Sequence, residues 1–151
     1  MPTKSLLLHY SFPGDLARVY ECVLNFRKFG ELHPHMVEVN ELSKTAAGGI
    51  EYEVKEEVVL LGFLKMRPEY KAEVIEIEKD KHIRYVSNVK GGINLVIDFT
   101  FIPDKTTSSV LVEEKIEIKG NSLLIAYFST ILKNAHLQLF NHLSARLLVE
   151  R

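Results

Sequence analysis

The chain has 151 residues and a formal net charge of −1, with 46% hydrophobic and 26% charged residues. This size and composition are ordinary for one globular domain, so we expect residues 1–151 to form a single domain. A charge so close to zero excludes the long-range field that draws a protein to nucleic acid or to an anionic membrane.

Cysteine content and apolar runs limit the class of protein further. Cys22 is the only cysteine, which rules out an intramolecular disulfide. The first residues lack the apolar core of a signal peptide, and the apolar run 123–128 is far shorter than the ~20 residues that span a bilayer. We therefore expect a cytoplasmic protein without an integral membrane segment.

The chain begins with a strand and two short helices. Residues 4–12 alternate between apolar and polar side chains, as in a half-buried strand. Gly14 and Asp15 then predict a turn and a helix cap, and apolar residues at helical spacing continue to Phe26. Residues 29–32 predict a second short helix, which ends before Pro34 because the residue preceding proline avoids helical geometry.

Six further strands follow with short turns between them. We predict them at residues 36–42, 50–61, 64–78, 82–89, 93–102 and 109–119. Pro68 indicates an irregular or edge-exposed point, and the apolar set changes sides at Ile75, which indicates a bulge. Consecutive strands with short connections imply an antiparallel meander.

A long terminal helix closes the chain from Asn121 to Arg151, with Asn121 or Ser122 as its cap. An apolar stripe recurs at spacings of three and four: Leu124, Phe128, Ile131, Leu132, Ala135, Leu139 and Leu143. Three polar residues spaced by four lie in or beside this stripe: Gln138, His142 and Arg146.

This order of elements resembles the helix-grip superfamily that contains START domains, birch-pollen allergens and polyketide cyclases, often called SRPBCC. The resemblance covers the whole chain and includes the strand end at residues 12–15 and the proline-containing junction at residues 32–37. It implies an α+β fold in which a curved seven-stranded antiparallel sheet wraps around the long C-terminal helix, with two short helices after strand 1. It also implies a cavity for sterols, lipids, isoprenoids or polyketides, without a shared set of catalytic residues.

Two glutamates interrupt strand faces that are otherwise apolar. Glu56 and Glu114 should point into the cavity and meet His142 and Arg146 on the terminal helix. A carboxylate in such a place is costly unless it is paired, so a structural ion pair is one interpretation. A polar anchor for a ligand, or an acid–base group, is the other.

The predicted ligand-binding set combines these polar groups with aromatic cavity walls. Its members are Tyr52, Glu56, Tyr70, Tyr85, Phe99, Glu114, Phe128, Gln138, His142 and Arg146. His33 and His35 are two residues apart, but no cysteine or nearby aspartate completes a metal site, and no cofactor motif is present. We expect neither a metal nor a cofactor.

The turn Leu61-Gly62-Phe63-Leu64 is apolar, whereas a turn that meets only water should be polar. It could fold back over the core, gate the cavity, contact a second copy of the chain or touch a membrane.

Three functions remain open from the sequence. The first is binding or transport of a small hydrophobic molecule such as a lipid, isoprenoid or polyketide. The second is a polyketide cyclase/dehydratase type of enzyme that uses Glu56 or Glu114 with His142 as acid and base. The third is a module that binds a partner through the apolar turn.

Overall fold

The computed structural model describes residues 2–60, 62–89 and 92–149. The first strand, β1, spans Thr3–Pro13, followed by helices α1, Leu16–Leu24, and α2, Phe26–Leu32. Asp15 caps α1 by accepting a hydrogen bond from the backbone N–H of Arg18 at 2.9 Å. Asn25 ends α1 and caps α2, so the helix break falls one residue before Phe26 instead of after it.

The remaining strands and the long helix follow in order. Their bounds are β2 Met36–Lys44, β3 Ile50–Glu56, β4 Val58–Leu60, β5 Leu64–Met66, β6 Glu69–Glu78, β7 His82–Val89, β8 Ile93–Asp104, β9 Ser109–Lys119 and α3 Ser122–Val149. Seven strands form one antiparallel sheet in the order β1-β9-β8-β7-β6-β3-β2. The predicted α+β helix-grip fold with its seven-stranded sheet is confirmed.

Two predicted strands are each divided in the structure. The backbone N–H of Glu57 leaves the sheet and donates to the carbonyl of His35 at 2.8 Å, which ends β3. Pro68, which has no N–H to offer, interrupts the return strand before β6 begins. Between these points β4 and β5 form a separate two-stranded hairpin. Gly62 lies in its turn at a φ of +78°, while Leu61 lies outside the described residues.

The predicted bulge lies slightly further along β6 than expected. The pairing register between β6 and β7 shifts between Glu76 and Glu78. Ala72 and Val74 face the core, and Ile77 is exposed on the outer face. The irregularity therefore follows the change in the apolar pattern at Ile75.

The core lies where α3, α1 and α2 cover the concave face of the sheet. Phe26, Phe29 and Tyr85 pack with ring centroids 5.1 to 5.7 Å apart. The side chains on α3 that are buried are Ile125, Ser129, Leu132, Ala135, His136, Leu139, Phe140, Leu143 and Leu147. Asn121 caps α3 by accepting from the N–H of Leu123 at 2.9 Å, as predicted.

Candidate functional site

A cavity separates the N-terminal half of α3 from the sheet. Its inner chamber has a volume of about 50 Å³ and its outer chamber, towards the β4–β5 hairpin, about 310 Å³. The two share five lining residues: Glu56, Tyr70, Val89, Phe128 and Ile131. The outer chamber is otherwise lined by Val58, Met66, Pro68, Ile93, Leu124 and Tyr127. The polar lining of the inner chamber is His33, His35, Glu56, Tyr70, Ser87 and His136.

Glu56 and Tyr70 form a hydrogen-bonded pair where the two chambers meet. The phenol O–H of Tyr70 donates to Oε2 of Glu56. Burial raises the pKa of Glu56 above its usual value, although the hydrogen bond from Tyr70 and the charge of His136 partly oppose that effect. Burial and the adjacent carboxylate also raise the pKa of Tyr70. This pair can offer hydrogen bonds to a polar group on a bound molecule.

Glu114 and His136 form a second pair, which lies behind the inner chamber. Glu114, on β9, has an exposed fraction of 0%, and its Oε2 pairs with Nδ1 of His136 on α3. Its other oxygen, Oε1, accepts a hydrogen bond from the Tyr10 O–H at 3.3 Å. Burial, followed by the charge of Glu114 and its hydrogen bond, raises the pKa of Tyr10. Both carboxylate oxygens are therefore satisfied, which is the condition for burying such a group.

Two further histidines stand beside this pair. His33 is 8% exposed, and its Nδ1 accepts the backbone N–H of His35 at 3.0 Å. Its ring centroid lies 5.9 Å from that of His136. Burial lowers the pKa of His33 to about 2, with smaller contributions from His136 and His35, and burial also lowers the pKa of His35. Among the described residues, no group of three or more histidine, cysteine or acidic side chains could hold a metal ion.

Four residues of the predicted set line the cavity. Glu56, Tyr70, Tyr85 and Phe128 all face the inner chamber. The hydroxyl of Tyr85 donates to the backbone carbonyl of Val23, so this side chain presents mainly its ring.

Three further predicted residues are buried away from the cavity lining. Phe99 is a core side chain with no exposed surface, and Tyr52 packs on Phe26 with ring centroids 5.1 Å apart. Glu114 approaches the inner chamber only through His136.

The three polar residues predicted on the inner stripe of α3 lie elsewhere. Gln138 and His142 are exposed, and Nδ1 of His142 donates to the carbonyl of Leu32 at 3.1 Å. Arg146 approaches Glu31 at 3.8 Å. The predicted meeting of Glu56 and Glu114 with His142 and Arg146 is therefore wrong, because the helix turns His136 towards the sheet instead.

Sequence reasoning missed four polar lining residues: His33, His35, Ser87 and His136. A signal for His136 was available. Position 136 lies four residues after Leu132 and three before Leu139, which is helical spacing for one face. Glu114 on an apolar strand face also required a buried partner.

The comparisons with known proteins support the fold. No family model and no curated protein matches the chain. The structure of Ara h 8.0201 is similar, with a TM-score of 0.75 at 11% identity over 98% of this chain and 99% of that one. A START superfamily protein from Mycobacterium smegmatis gives a TM-score of 0.71 at 10% identity over 95% and 98%. The di-domain ARO/CYC StfQ from the steffimycin biosynthetic pathway gives 0.72 at 13% identity, over 93% of this chain and 43% of that one.

These likenesses define the class of fold. The chain has the START-like, or SRPBCC, helix-grip fold, as the order of its elements predicted. A shared fold at such low identity does not carry a shared function. Within the described part of the chain, no helix is both long enough and apolar enough to cross a bilayer.

Proposed function

We propose that this protein binds or transports a small hydrophobic molecule in the cavity between the sheet and α3. The observation that supports this proposal most strongly is the outer chamber of about 310 Å³, whose apolar walls end at the half-buried Glu56–Tyr70 pair. Ligand sites typically combine apolar walls with a few well-placed polar groups. A lipid, an isoprenoid or a polyketide has the matching chemistry. Structural neighbours named as a START superfamily protein and as part of a biosynthetic pathway are in keeping with it.

The lining residues suggest how such a ligand is held. Phe128 and Ile131 would contact its apolar body, and Glu56 and Tyr70 would bind its polar group. Burying roughly 200 Å² of apolar ligand surface is worth about 5 kcal/mol before the costs of association. The polar pair then contributes mainly orientation and selectivity.

Native mass spectrometry tests this proposal. Gently purified protein, and protein incubated with a fatty acid, an isoprenoid alcohol and an aromatic ketone, should show one added mass per chain. Ile131→Trp should remove that mass because the larger ring fills space that both chambers share. Leu137→Trp is the matched control, since Leu137 is an exposed residue of the same helix. A wild-type protein that stays empty with every compound would contradict the proposal.

We also propose that the mouth of the cavity touches a lipid surface when ligand enters or leaves. Phe63 at the hairpin tip is 78% exposed, and Leu123 at the start of α3 is 80% exposed. Lys65 lies on the same hairpin and Arg67 directly follows it, and both are exposed. Apolar tips beside basic side chains suit a short-range contact with a lipid interface, which does not require a long-range field from the net charge.

Sedimentation with vesicles of phosphatidylcholine and phosphatidylserine tests this contact. The wild type should sediment with the vesicles, and the double variant Phe63→Ser/Leu123→Ser should not. Val37→Ser removes an apolar residue of similar exposure from β2 and serves as the control. A dimer that forms without lipid and that Phe63→Ser dissociates would assign the tip to a second copy of the chain instead.

A further inference from the structure

The ring of His136 is held so that its second nitrogen faces free volume. Its Nδ1 is occupied by Glu114, while the ring itself lines the inner chamber. No described residue forms a hydrogen bond with Nε2. Among the described residues, every fully buried side-chain nitrogen or oxygen has a hydrogen-bond partner, so Nε2 is not fully buried. Nε2 therefore opens into the inner chamber.

The environment of Glu114 determines which nitrogen of His136 carries the proton. The carboxylate receives donors at both oxygens, from His136 and from Tyr10. When His136 is neutral, a carboxylate that accepts from Nδ1–H fixes the tautomer in which Nε2 bears the lone pair. His136 thus presents a base to the chamber, and Glu114 orients the ring from behind.

The wall of the same chamber also offers an acid. Glu56 and Tyr70 share a hydrogen bond there, and burial raises the pKa of Glu56, which favours its protonated form. When Glu56 is protonated, the pair holds two O–H groups and needs only one for its own hydrogen bond. The second can then be donated to an oxygen on the ligand. His136 and Glu56 therefore line one chamber in different environments, which is the arrangement of a general base and a general acid.

We propose that this chamber catalyses proton transfer at the carbon next to a carbonyl group, with apolar ketones as the substrate class. This inference rests on the proposed function, since the ketone must first occupy the cavity. The C–H bond breaks, its proton goes to Nε2 of His136, and the electron pair moves onto the carbonyl oxygen. That oxygen receives a hydrogen bond from the O–H of protonated Glu56, while the Tyr70 hydroxyl continues to donate to the Glu56 carboxyl group. The proton on Nε2 exchanges with water, and transfer of a proton from Nε2 back to carbon restores the ketone without any other co-reactant.

The volumes of the two chambers fit the two parts of an apolar ketone. The inner chamber of about 50 Å³ admits a carbonyl and its neighbouring carbon, while the outer chamber of about 310 Å³ takes the apolar body. His136 lines only the inner chamber, and Glu56 and Tyr70 lie where the two chambers meet, so the head group contacts both the base and the acid. His136 and Glu56 act directly on the ligand, and Glu114 is a positioning residue.

Deuterium exchange into 2-tetralone tests the proposal. This apolar bicyclic ketone has acidic C–H bonds beside its carbonyl, and proton NMR in D₂O follows their loss. Binding is measured separately by the fluorescence of 2-naphthol, a planar analogue of the enol. We expect exchange that depends on the protein and saturates with ketone concentration. 2-Naphthol should inhibit this exchange with an inhibition constant equal to its measured dissociation constant.

Variants assign the roles of the residues. His136→Asn retains a donor for Glu114 but removes the base, so exchange should fall at least about 100-fold while 2-naphthol still binds. Glu114→Gln should lower kcat about tenfold or more with KM unchanged, because it disturbs the tautomer and not the ligand contacts. His142→Asn on the same helix should exchange at the wild-type rate.

The outcomes separate the two proposals. Binding of 2-naphthol without exchange above the His136→Asn level overturns the catalytic inference and leaves ligand binding intact. Absence of 2-naphthol binding contradicts both for this class of compound. If His136→Asn does not fold, inhibition of the wild type decides, since exchange that persists at saturating 2-naphthol places the reaction outside the cavity.

Discussion

At the scale of the residue, the hydrogen-bond partners of each interior ionisable group determine whether it is free to bind a ligand. Glu114 and Glu56 both face the interior, yet Glu114 is satisfied at both oxygens, whereas Glu56 has the Tyr70 hydroxyl at one. Glu56 therefore retains an oxygen for a ligand. His136 contacts both regions, because its Nδ1 forms a hydrogen bond with Glu114 and its ring lines the inner chamber.

The burial of His33 predicts a specific sensitivity to acid. The histidine pKa is 6.5 in the unfolded chain and about 2 in the folded protein, so the folded state binds fewer protons throughout that window. Stability is lost as pH falls below 6.5. His33→Asn keeps an acceptor for the His35 N–H but cannot titrate. From pH 7.5 to pH 5, the wild type should lose about 2 kcal/mol more unfolding free energy than this variant in urea titrations. Equal losses would contradict the burial of a neutral His33.

Glu56 predicts the opposite dependence on pH. Its pKa is raised above the ordinary value of 4.5, so the folded state binds more protons than the unfolded state above that pH. The carboxyl group therefore lowers stability as pH rises through its folded pKa. Glu56→Gln keeps an oxygen for the Tyr70 hydroxyl, and its gain in unfolding free energy over wild type should be larger at pH 7.5 than at pH 4. Glu69→Gln, at an exposed site on β6, should show no such trend.

At the scale of the element, α3 consists of two halves with different tasks. In the C-terminal half, Leu139, Leu143 and Leu147 are buried in the core. In the N-terminal half, Leu124, Phe128 and Ile131 line the cavity, although their spacing alone predicts core packing. The helix thus closes the core at one end and provides a wall for a ligand at the other.

The strands could be predicted more fully than the helix for a physical reason. A strand has only two faces, so the alternation around Tyr52 and Val54 places Glu56 inside without ambiguity. In α3 the residues at 123–125 are all apolar, so periodicity leaves the rotation of the helix uncertain by a residue. That uncertainty placed His142 on the inner stripe, whereas the buried histidine of the helix is His136. The end of β3 at Glu57 depends on the distant carbonyl of His35, which no local pattern reveals.

The packing of α2 on β2 gives a prediction for Gly30. A Cβ at this position would lie 2.7 Å from Cγ2 of Val39, closer than atoms can approach. Gly30→Ala should therefore lower the unfolding free energy by about 1–3 kcal/mol despite the better helix propensity of alanine. Val39→Ala should recover part of that loss in the double variant, as measured by a double-mutant cycle in urea. An additive cycle would show that the two side chains do not compete for space.

At the scale of the whole molecule, the concave sheet holds a packed core and a cavity side by side. The aromatic cluster of Phe12, Phe29, Phe99 and Phe140 fills one part, and the chambers beneath the start of α3 occupy the other. The single domain and the cytoplasmic location remain predictions from the sequence.

The most direct test of the account is the position of a bound apolar molecule. Protein labelled at its isoleucine, leucine and valine methyl groups would be saturated with N-phenyl-1-naphthylamine, and NOEs from the probe to those methyls recorded. We predict NOEs to the lining residues Val58, Val89, Ile93, Leu124 and Ile131, and none to Ile77 or Ile102, which are exposed outside the cavity. NOEs only to exposed methyls such as these, or a probe that fails to bind, would contradict the assignment of the cavity as the ligand site.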